Sequence, residues 1–136
     1  MSWRHMSQSP PVIGVLDDEP QLRKALRRLL TSHGFSVQEY ERGEDFFAAQ
    51  SSQRVDCLVL DLHMPGMSGL DVLEAFAARH ITMPVVVITG HDEPGLEVRV
   101  RALGASSYLK KPVDEAALLS AIKSVITPDN TSPLPR

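Results

Sequence analysis

Four strand-like runs in this chain, three of them apolar, end on residues that bind cations or oxyanions. Val12-Ile13-Gly14-Val15-Leu16 runs into Asp17-Asp18-Glu19, and Leu58-Val59-Leu60 runs into Asp61. Val85-Val86-Val87-Ile88 reaches Thr89, and Ser106-Ser107-Tyr108-Leu109-Lys110 reaches Lys111. Carboxylates gathered in one pocket cannot all stay ionised without a cation. Their oxygens are hard ligands, which suit Mg²⁺ or Mn²⁺. A hydroxyl and a lysine beside a metal-bound carboxylate complete a site for three anionic oxygens. Phosphoryl transfer needs such a site, because its catalysis is largely positioning and charge neutralisation. In that chemistry Asp61 is the nucleophile and an aspartyl phosphate is the product. Taken alone, Asp61 reads equally well as an exposed turn residue or as the N-cap of the next helix. Asp18 or Glu19 alone reads as an acid favoured at a helix N-terminus.

The elements that must bring these residues together follow from periodicity. Val12–Leu16 is apolar throughout, as a strand covered on both faces should be. Pro20 suits a first helical turn. Leu22, Ala25, Leu26, Leu29 and Leu30 then form one stripe, with Arg23, Lys24, Arg27 and Arg28 on a solvated face and Gly34 as the stop. Phe35 to Tyr40 alternates and reads as a half-exposed edge strand. Gly43 to Gln50 is a short helix anchored by Phe46 and Phe47. The strand ending at Asp61 comes next, and then a loop rich in turn residues, Met64-Pro65-Gly66-Met67-Ser68-Gly69. Helices are expected from Gly69 to His80, from Asp92 or Glu93 to Leu103 with Pro94 in its first turn, and from an Asp114 cap onward through Leu118, Leu119, Ile122, Val125 and Ile126. Strands alternating with helices mean a parallel sheet with right-handed crossovers and helices on both faces. The expected fold is therefore a doubly wound α/β sheet of five parallel strands, order 2-1-3-4-5. In that order strands 1, 3, 4 and 5 are neighbours, so Asp17, Asp18, Asp61, Thr89 and Lys111 share one rim.

Composition bounds the function. The 136 residues suffice for one domain. Net charge is −3, which argues against a nucleic-acid surface. The single cysteine, Cys57, lies in an apolar strand and cannot form an internal disulfide, which suits a reducing compartment. No apolar run approaches the ~20 residues of a membrane span, and the expected location is cytoplasmic. His33, His63, His80 and His91 lack zinc-ligand spacing and read as surface or loop histidines. Residues 1–11 read as a leader or disordered N-terminus with a second candidate start at Met6. Residues 12–126 are the folded domain, and residues 127–136, with three prolines, are a linker or C-terminal tail.

With these residues in place, the chain from about Val12 to Ile126 resembles the receiver domain of bacterial two-component response regulators. The resemblance rests on Asp17-Asp18, on Asp61 with Met64-Pro65-Gly66-Met67-Ser68-Gly69, on Thr89-Gly90, and on Tyr108 with Lys111-Pro112. The Met-Pro-Gly-Met-Ser-Gly loop and Ile88-Thr89-Gly90-His91 are most similar to receivers of the nodulation and nitrogen-fixation type. The resemblance implies a flavodoxin-like fold and these roles. Asp61 accepts a phosphoryl group from a histidine kinase or phosphotransfer protein. Asp18 and Asp61 ligate Mg²⁺ directly, Asp17 acts largely through water, and the backbone carbonyl of His63 supplies a further ligand. Thr89 and Lys111 hold the phosphoryl oxygens, and Tyr108 turns inward as Thr89 moves. Gly90 leaves access to the acceptor, and His63 and His91 tune phosphoryl lifetime.

The resemblance further implies a signalling switch that catalyses its own phosphotransfer and dephosphorylation. Its readout surface would run from about Pro94 to Ser124. Homodimerisation on phosphorylation and an output domain outside this chain are expected, with transcription control as the typical output. A stand-alone receiver acting as a phosphorelay intermediate or protein-binding switch is the alternative. An aspartyl-phosphate phosphatase of the haloacid dehalogenase type is a remote rival. It wants a second Asp two residues past the nucleophile, where this chain has His63. A flavodoxin-like cofactor binder would put Gly, Ser and Thr where Asp17-Asp18-Glu19 stands, and these acids would repel a cofactor phosphate.

Overall fold

The computed structural model describes residues 9–126, so the leader at residues 1–8 and the tail at residues 127–136 lie outside the described residues. Strands and helices alternate along the chain: β1 Val12–Leu16, α1 Pro20–Ser32, β2 Ser36–Tyr40, α2 Gly43–Ala49, β3 Cys57–Asp61, α3 Gly69–Ala78, β4 Val85–Thr89, α4 Leu96–Ala102, β5 Ser107–Lys110 and α5 Glu115–Ile126. The strands form one sheet in the order β2-β1-β3-β4-β5, every pairing parallel. Both the doubly wound class and the strand order expected from sequence are therefore observed.

The strands are apolar on both faces because both faces are covered. Ile13, Val15, Cys57, Val59, Val86 and Ile88 pack with Leu26 and Leu30 of α1 and Leu118 and Ile122 of α5. The alternate residues Leu16, Leu58, Leu60, Val85, Val87 and Tyr108 pack with Phe46 of α2, Val72, Leu73 and Phe76 of α3, and Val100 of α4. The side-chain period of 2 splits each strand between these two cores. It also splits the edge strand as expected: Val37 joins the first core and Tyr40 the second.

Helix ends follow local chemistry. Gly34, at φ +89°, ends α1 in the left-handed region. The Ser68 hydroxyl accepts from Asp71 N while the Asp71 carboxylate accepts from Ser68 N, a capping box that starts α3. Ser68, not Asp61, therefore caps this helix, which removes the plain reading of Asp61. Asp114 accepts from Ala117 N at 2.8 Å and starts α5 as expected. Several boundaries differ by a residue or two, as between Gly69–His80 expected and Gly69–Ala78 observed, and one differs by more. The helix expected from residue 92 or 93 begins only at Leu96, because Gly95, at φ +84°, takes the N-cap position in a left-handed conformation. The residues before it are left as a loop.

Gly69 fixes how closely α3 approaches the acceptor strand. A Cβ there would lie 2.5 Å from the Asp61 carbonyl oxygen and 2.6 Å from Leu62 Cα, both backbone atoms. Gly69 N also donates to Leu62 O at 3.0 Å. Substitution Gly69→Ala is therefore expected to push α3 off the end of β3 and lower stability by about 1–3 kcal/mol, as overpacking does. Urea unfolding of the two proteins checks this, and an unchanged midpoint would contradict the close approach.

Candidate functional site

The parallel register assembles the site. Leu16 pairs with Leu60, so Asp17 and Asp61 are the next residues along two adjacent strands. Asp61 pairs with Ile88, one residue before Thr89, and Thr89 pairs with Lys110, one residue before Lys111. All the strand-end residues singled out from sequence thus meet on one rim. This is the carboxyl edge of the sheet, where open α/β folds bind ligands.

The acidic side of the rim is buried. Asp17 is 0% exposed and Asp61 2%. One carboxylate oxygen from each of Asp17, Asp18 and Asp61 lies within 4.8 Å of the others. Asp17 Oδ1 accepts from Glu19 N at 2.8 Å, and Asp61 Oδ1 accepts from His63 N at 3.2 Å. Asp17 Oδ2 is buried and accepts no hydrogen bond. Its nearest cation is the Lys111 ammonium at 3.3 Å. That ammonium is also 3.5 Å from Asp61 Oδ1 and 3.1 Å from Glu19 Oε1.

A single ammonium is too little for this group of acids. Burial, and then the neighbouring Asp17 charge, push the Asp61 carboxyl up to about 6 against the pull of Lys111 and the His63 N–H. Burial also raises Asp17 above the usual carboxylate value, opposed by the Glu19 N–H and by Lys111. Burial alone would lower Lys111, but the Asp17 and Asp61 charges outweigh it and raise it. An orphaned buried carboxylate oxygen and two carboxyls short of positive charge mark a cation site. With carboxylate donors only, the set fits a hard divalent ion such as Mg²⁺.

The other side of the rim is built around Thr89, which is 0% exposed. Its hydroxyl accepts from His91 N at 3.1 Å and lies 3.3 Å from the His91 carbonyl and 3.1 Å from His63 Nδ1. One hydroxyl proton serves one of the last two partners, so a hydroxyl that donates to the carbonyl accepts from a protonated Nδ1. The His63 and His91 rings meet edge-on with centroids 5.0 Å apart. Gly90 leaves the space beside Lys111 open: a Cβ there would come no nearer than 3.7 Å to Lys111 Cδ. Tyr108 is 8% exposed, with its ring in the core on the α3 and α4 side. Its hydroxyl donates to Asp92 Oδ1 at 2.7 Å. The ring expected to turn inward during switching is already inward here.

Sequence reasoning placed Asp17, Asp18, Asp61, Thr89 and Lys111 on one rim, and the structure brings them there; Tyr108, singled out through the resemblance, lies within β5 opposite Val87. Sequence reasoning missed four contacts. Glu19 turns away from the carboxylate cluster to Lys111. The His63 ring, read only through its backbone carbonyl and position, reaches Thr89. Asp92, read as a helix start, bonds Tyr108 instead. Arg23, read as part of a solvated face, donates to the Asp17 carbonyl at 2.6 Å and lies 3.5 Å from Glu39. Only Glu19 carried a sequence signal, as a third consecutive acid that a turn does not require.

Comparison with known proteins gives one family. Residues 13–123 match the response regulator receiver domain. The transcriptional regulatory protein FixJ of Azorhizobium caulinodans is 39% identical over 119 residues, covering 88% of this chain and 56% of that protein. The response regulator protein TodT of Pseudomonas putida is 35% identical over 135 residues, covering 98% of this chain and 60% of that protein. The chain thus spans a little over half the length of these relatives. Among solved structures, full-length FixJ from B. japonicum superposes with a TM-score of 0.80 at 32% identity, over 93% of this chain and 61% of that one. Response regulator StyR gives 0.79 at 38% identity, over 88% and 60%.

The raised carboxyls set a pH dependence. Asp61 and Asp17 bind protons more tightly folded than unfolded. Both states are protonated below the unfolded value near 3.8, and above it the unfolded chain loses its protons first, the folded Asp61 following only as pH rises through about 6. Their contribution to stability is therefore present at low pH and lost across that window. In EDTA, Asp61→Asn is expected to be more stable than the parent at pH 7.5 by about 1–3 kcal/mol, with the gap closing below pH 5. Urea midpoints at the two pH values check this. Millimolar Mg²⁺ should stabilise the parent more than Asp61→Asn, and equal stabilisation would place the ion elsewhere.

Proposed function

Because the chain belongs to the response regulator receiver domain family, we propose that Asp61 is its phospho-acceptor and that residues 12–126 form the complete phosphorylation switch. The observation that carries this reading is the buried Asp61 carboxylate at a strand end, with Lys111 Nζ 3.5 Å from Oδ1 and an unsatisfied Asp17 oxygen beside it. An Asp61 oxygen attacks the phosphorus of a phosphohistidine. The new O–P bond forms as the P–N bond breaks, and the bond's electron pair stays on the departing imidazole. The product carries about −1.5 to −2 charges at the rim. Lys111 takes one phosphoryl oxygen by turning from Glu19 and Asp17. Thr89 takes another by giving up His91 and His63. Water later attacks the same phosphorus, the Asp61 O–P bond breaks with its electron pair left on the carboxylate, and inorganic phosphate departs.

Asp18 and Asp61 would hold Mg²⁺ directly, with the His63 backbone carbonyl, and Asp17 through water. When bound, the ion neutralises charge on the transferring oxygens. The Thr89 and Lys111 side chains bind the phosphorylated form better than the bare carboxylate, and this difference shifts a pre-existing equilibrium. The donor is a histidine kinase or phosphotransfer protein. A homodimer or an output domain, with transcription control as its function, lies downstream. Among the described residues no helix is long and apolar enough to cross a membrane, and we place the domain in the cytoplasm.

The phosphatase reading is weaker. It needs a carboxylic acid at position 63 to protonate a leaving group, and the His63 ring there is engaged with Thr89. A cofactor-phosphate binder is weaker still, since buried Asp17 occupies the loop where the cradle would form.

Intact mass after exposure to acetyl phosphate tests the proposal. One added phosphoryl group is expected in the parent with Mg²⁺, and none with EDTA or in Asp61→Asn. A beryllofluoride complex, formed by the parent and not by Asp61→Asn, covers the case of rapid hydrolysis. Absence of both in the parent would overturn the reading.

A further inference from the structure

Asp18 is the one carboxylate of the acidic cluster that no strand holds. Asp61 ends β3, and Asp17 continues the β1–β2 pairing by donating its N–H to Tyr40 O at 3.2 Å. Asp18 lies in the short loop between Leu16 and Pro20. Among the described residues its carboxylate has no hydrogen bond or ion pair. Its place beside Asp17 and Asp61 therefore depends on the backbone of residues 17–19. Within that loop Glu19 N donates to Asp17 Oδ1 at 2.8 Å. Two further ties both come from Arg23. Its backbone N donates to Glu19 O at 3.1 Å, and its guanidinium Nη1 donates to Asp17 O at 2.6 Å. Arg23 thus grips the loop on either side of Asp18, while Pro20 has no N–H to give.

We propose that Arg23 is a positioning residue for the cation site: by clamping the Asp17 carbonyl it sets the loop that presents Asp18 to the ion. The proposal rests on the reading of Asp18 as a metal ligand. The guanidinium is held for this task. Its side chain is 15% exposed, and its Nε lies 3.5 Å from Glu39 Oε1 while Nη1 holds the carbonyl. Glu39, on β2, is also paired with Arg27 at 2.9 Å. A planar fork serves two partners at once in fixed geometry, which a lysine ammonium on its flexible stem does not. A hydrogen bond from a charged donor is stronger than a neutral one. The charge of Arg23 is not spent on the cluster, because the cation beside Asp17 Oδ2 and Asp61 Oδ1 is Lys111. By Coulomb's law alone, a guanidinium next to the site repels a divalent ion. Charge and clamp therefore predict opposite signs when Arg23 is removed. Lost charge tightens the ion, and a lost clamp loosens it.

The experiment titrates Mg²⁺ into the parent, Arg23→Met, Arg23→Lys, Glu39→Gln and Asp18→Asn, following backbone amide shifts by NMR. The Kd is expected to rise about tenfold in Arg23→Met, the size typical when a group that orients a metal ligand is lost. Arg23→Lys keeps the charge without the fork, and its Kd falls between those of Arg23→Met and the parent. Glu39→Gln loses the ion pairs but keeps the carbonyl bond, and it binds as the parent does. A second readout needs no ion. In EDTA the Glu19 amide hydrogen is expected to exchange faster in Arg23→Met, by a larger factor than the amides of β3. A Kd in Arg23→Met equal to or below the parent's overturns the proposal. So does acceleration of Glu19 and β3 exchange by the same factor, which reports general loosening. A Glu39→Gln effect as large as that of Arg23→Met assigns the loss to packing of α1 on β2 and also overturns it. If Arg23→Met does not fold, a parental Kd in Arg23→Lys overturns it instead. A parent that binds no Mg²⁺, or Asp18→Asn that binds it as the parent does, overturns the metal-ligand reading and this one together. A parent that binds Mg²⁺ through Asp18 with Arg23→Met its equal overturns the clamp alone.

Discussion

The structure is organised around a repulsion. Parallel pairing of β1 with β3 sets Asp17 beside Asp61 at the ends of two adjacent central strands, where helices on both faces exclude water. Two buried carboxylates that close cannot both be ionised at low cost. The fold compensates only in part. Lys111 is brought across from the end of β5 to face Asp17, Asp61 and Glu19 with one ammonium. The Glu19 and His63 backbone N–H groups each satisfy one carboxylate oxygen. One Asp17 oxygen stays without a hydrogen bond. A domain selected for stability alone would place apolar residues here. Keeping the charges makes the rim respond to what arrives: a divalent cation relieves the repulsion, and a phosphoryl group reverses the demand, asking for donors where there were too few.

That logic explains the lopsided rim. Asp61 falls in the strand alternation with Cys57 and Val59, which pack toward α1 and α5, and Lys111 and Glu19 lie on that side. Thr89 follows Val85 and Val87, which pack toward α3 and α4 with Tyr108. The period of 2 along two strands thus separates the charged half of the site from the half built around Thr89. In the proposed reading the phosphoryl group is the ligand both halves would share, with Lys111 on one side and Thr89 on the other.

The strand ends were legible because they rest on long-standing physical regularities: apolar runs bounded by turn residues, helical stripes, and the handedness of parallel crossovers. Register then did the rest, since parallel pairing brings the strand ends together. The α3 start was legible as a turn-rich stretch, but whether Ser68 or Asp61 capped the helix was not, because both are good N-cap residues. The onset of α4 was misplaced because acids followed by Pro94 imitate a helix start, and only the left-handed Gly95 shows where the helix begins. Glu19 stood out as a third consecutive acid, but its contact with Lys111, like those of His63 with Thr89 and Asp92 with Tyr108, was not legible. Each joins residues from different parts of the chain, 92, 26 and 16 positions apart. No local propensity or periodicity encodes which of several exposed acids will find a given partner.

These illegible contacts are the ones that can switch. A strand end buried between two cores has one place to be. Glu19, His63 and Asp92 are all exposed enough to exchange a protein partner for water at small net cost, since the net worth of a hydrogen bond is only ~1 kcal/mol. Thr89 and Lys111 are each held by such partners, and the proposed phosphoryl group would need both. Lys111 meets Glu19 at 3.1 Å, closer than either buried carboxylate. Modest restraints of this kind are the right size for a switch. A phosphoryl group that gains a few kcal/mol from a lysine, a hydroxyl and a cation overcomes them, whereas thermal motion alone leaves the resting state dominant. The rigid part of the sequence code therefore specifies where the chemistry happens, and the weakly coded loop contacts set how far the resting domain stands from its phosphorylated form.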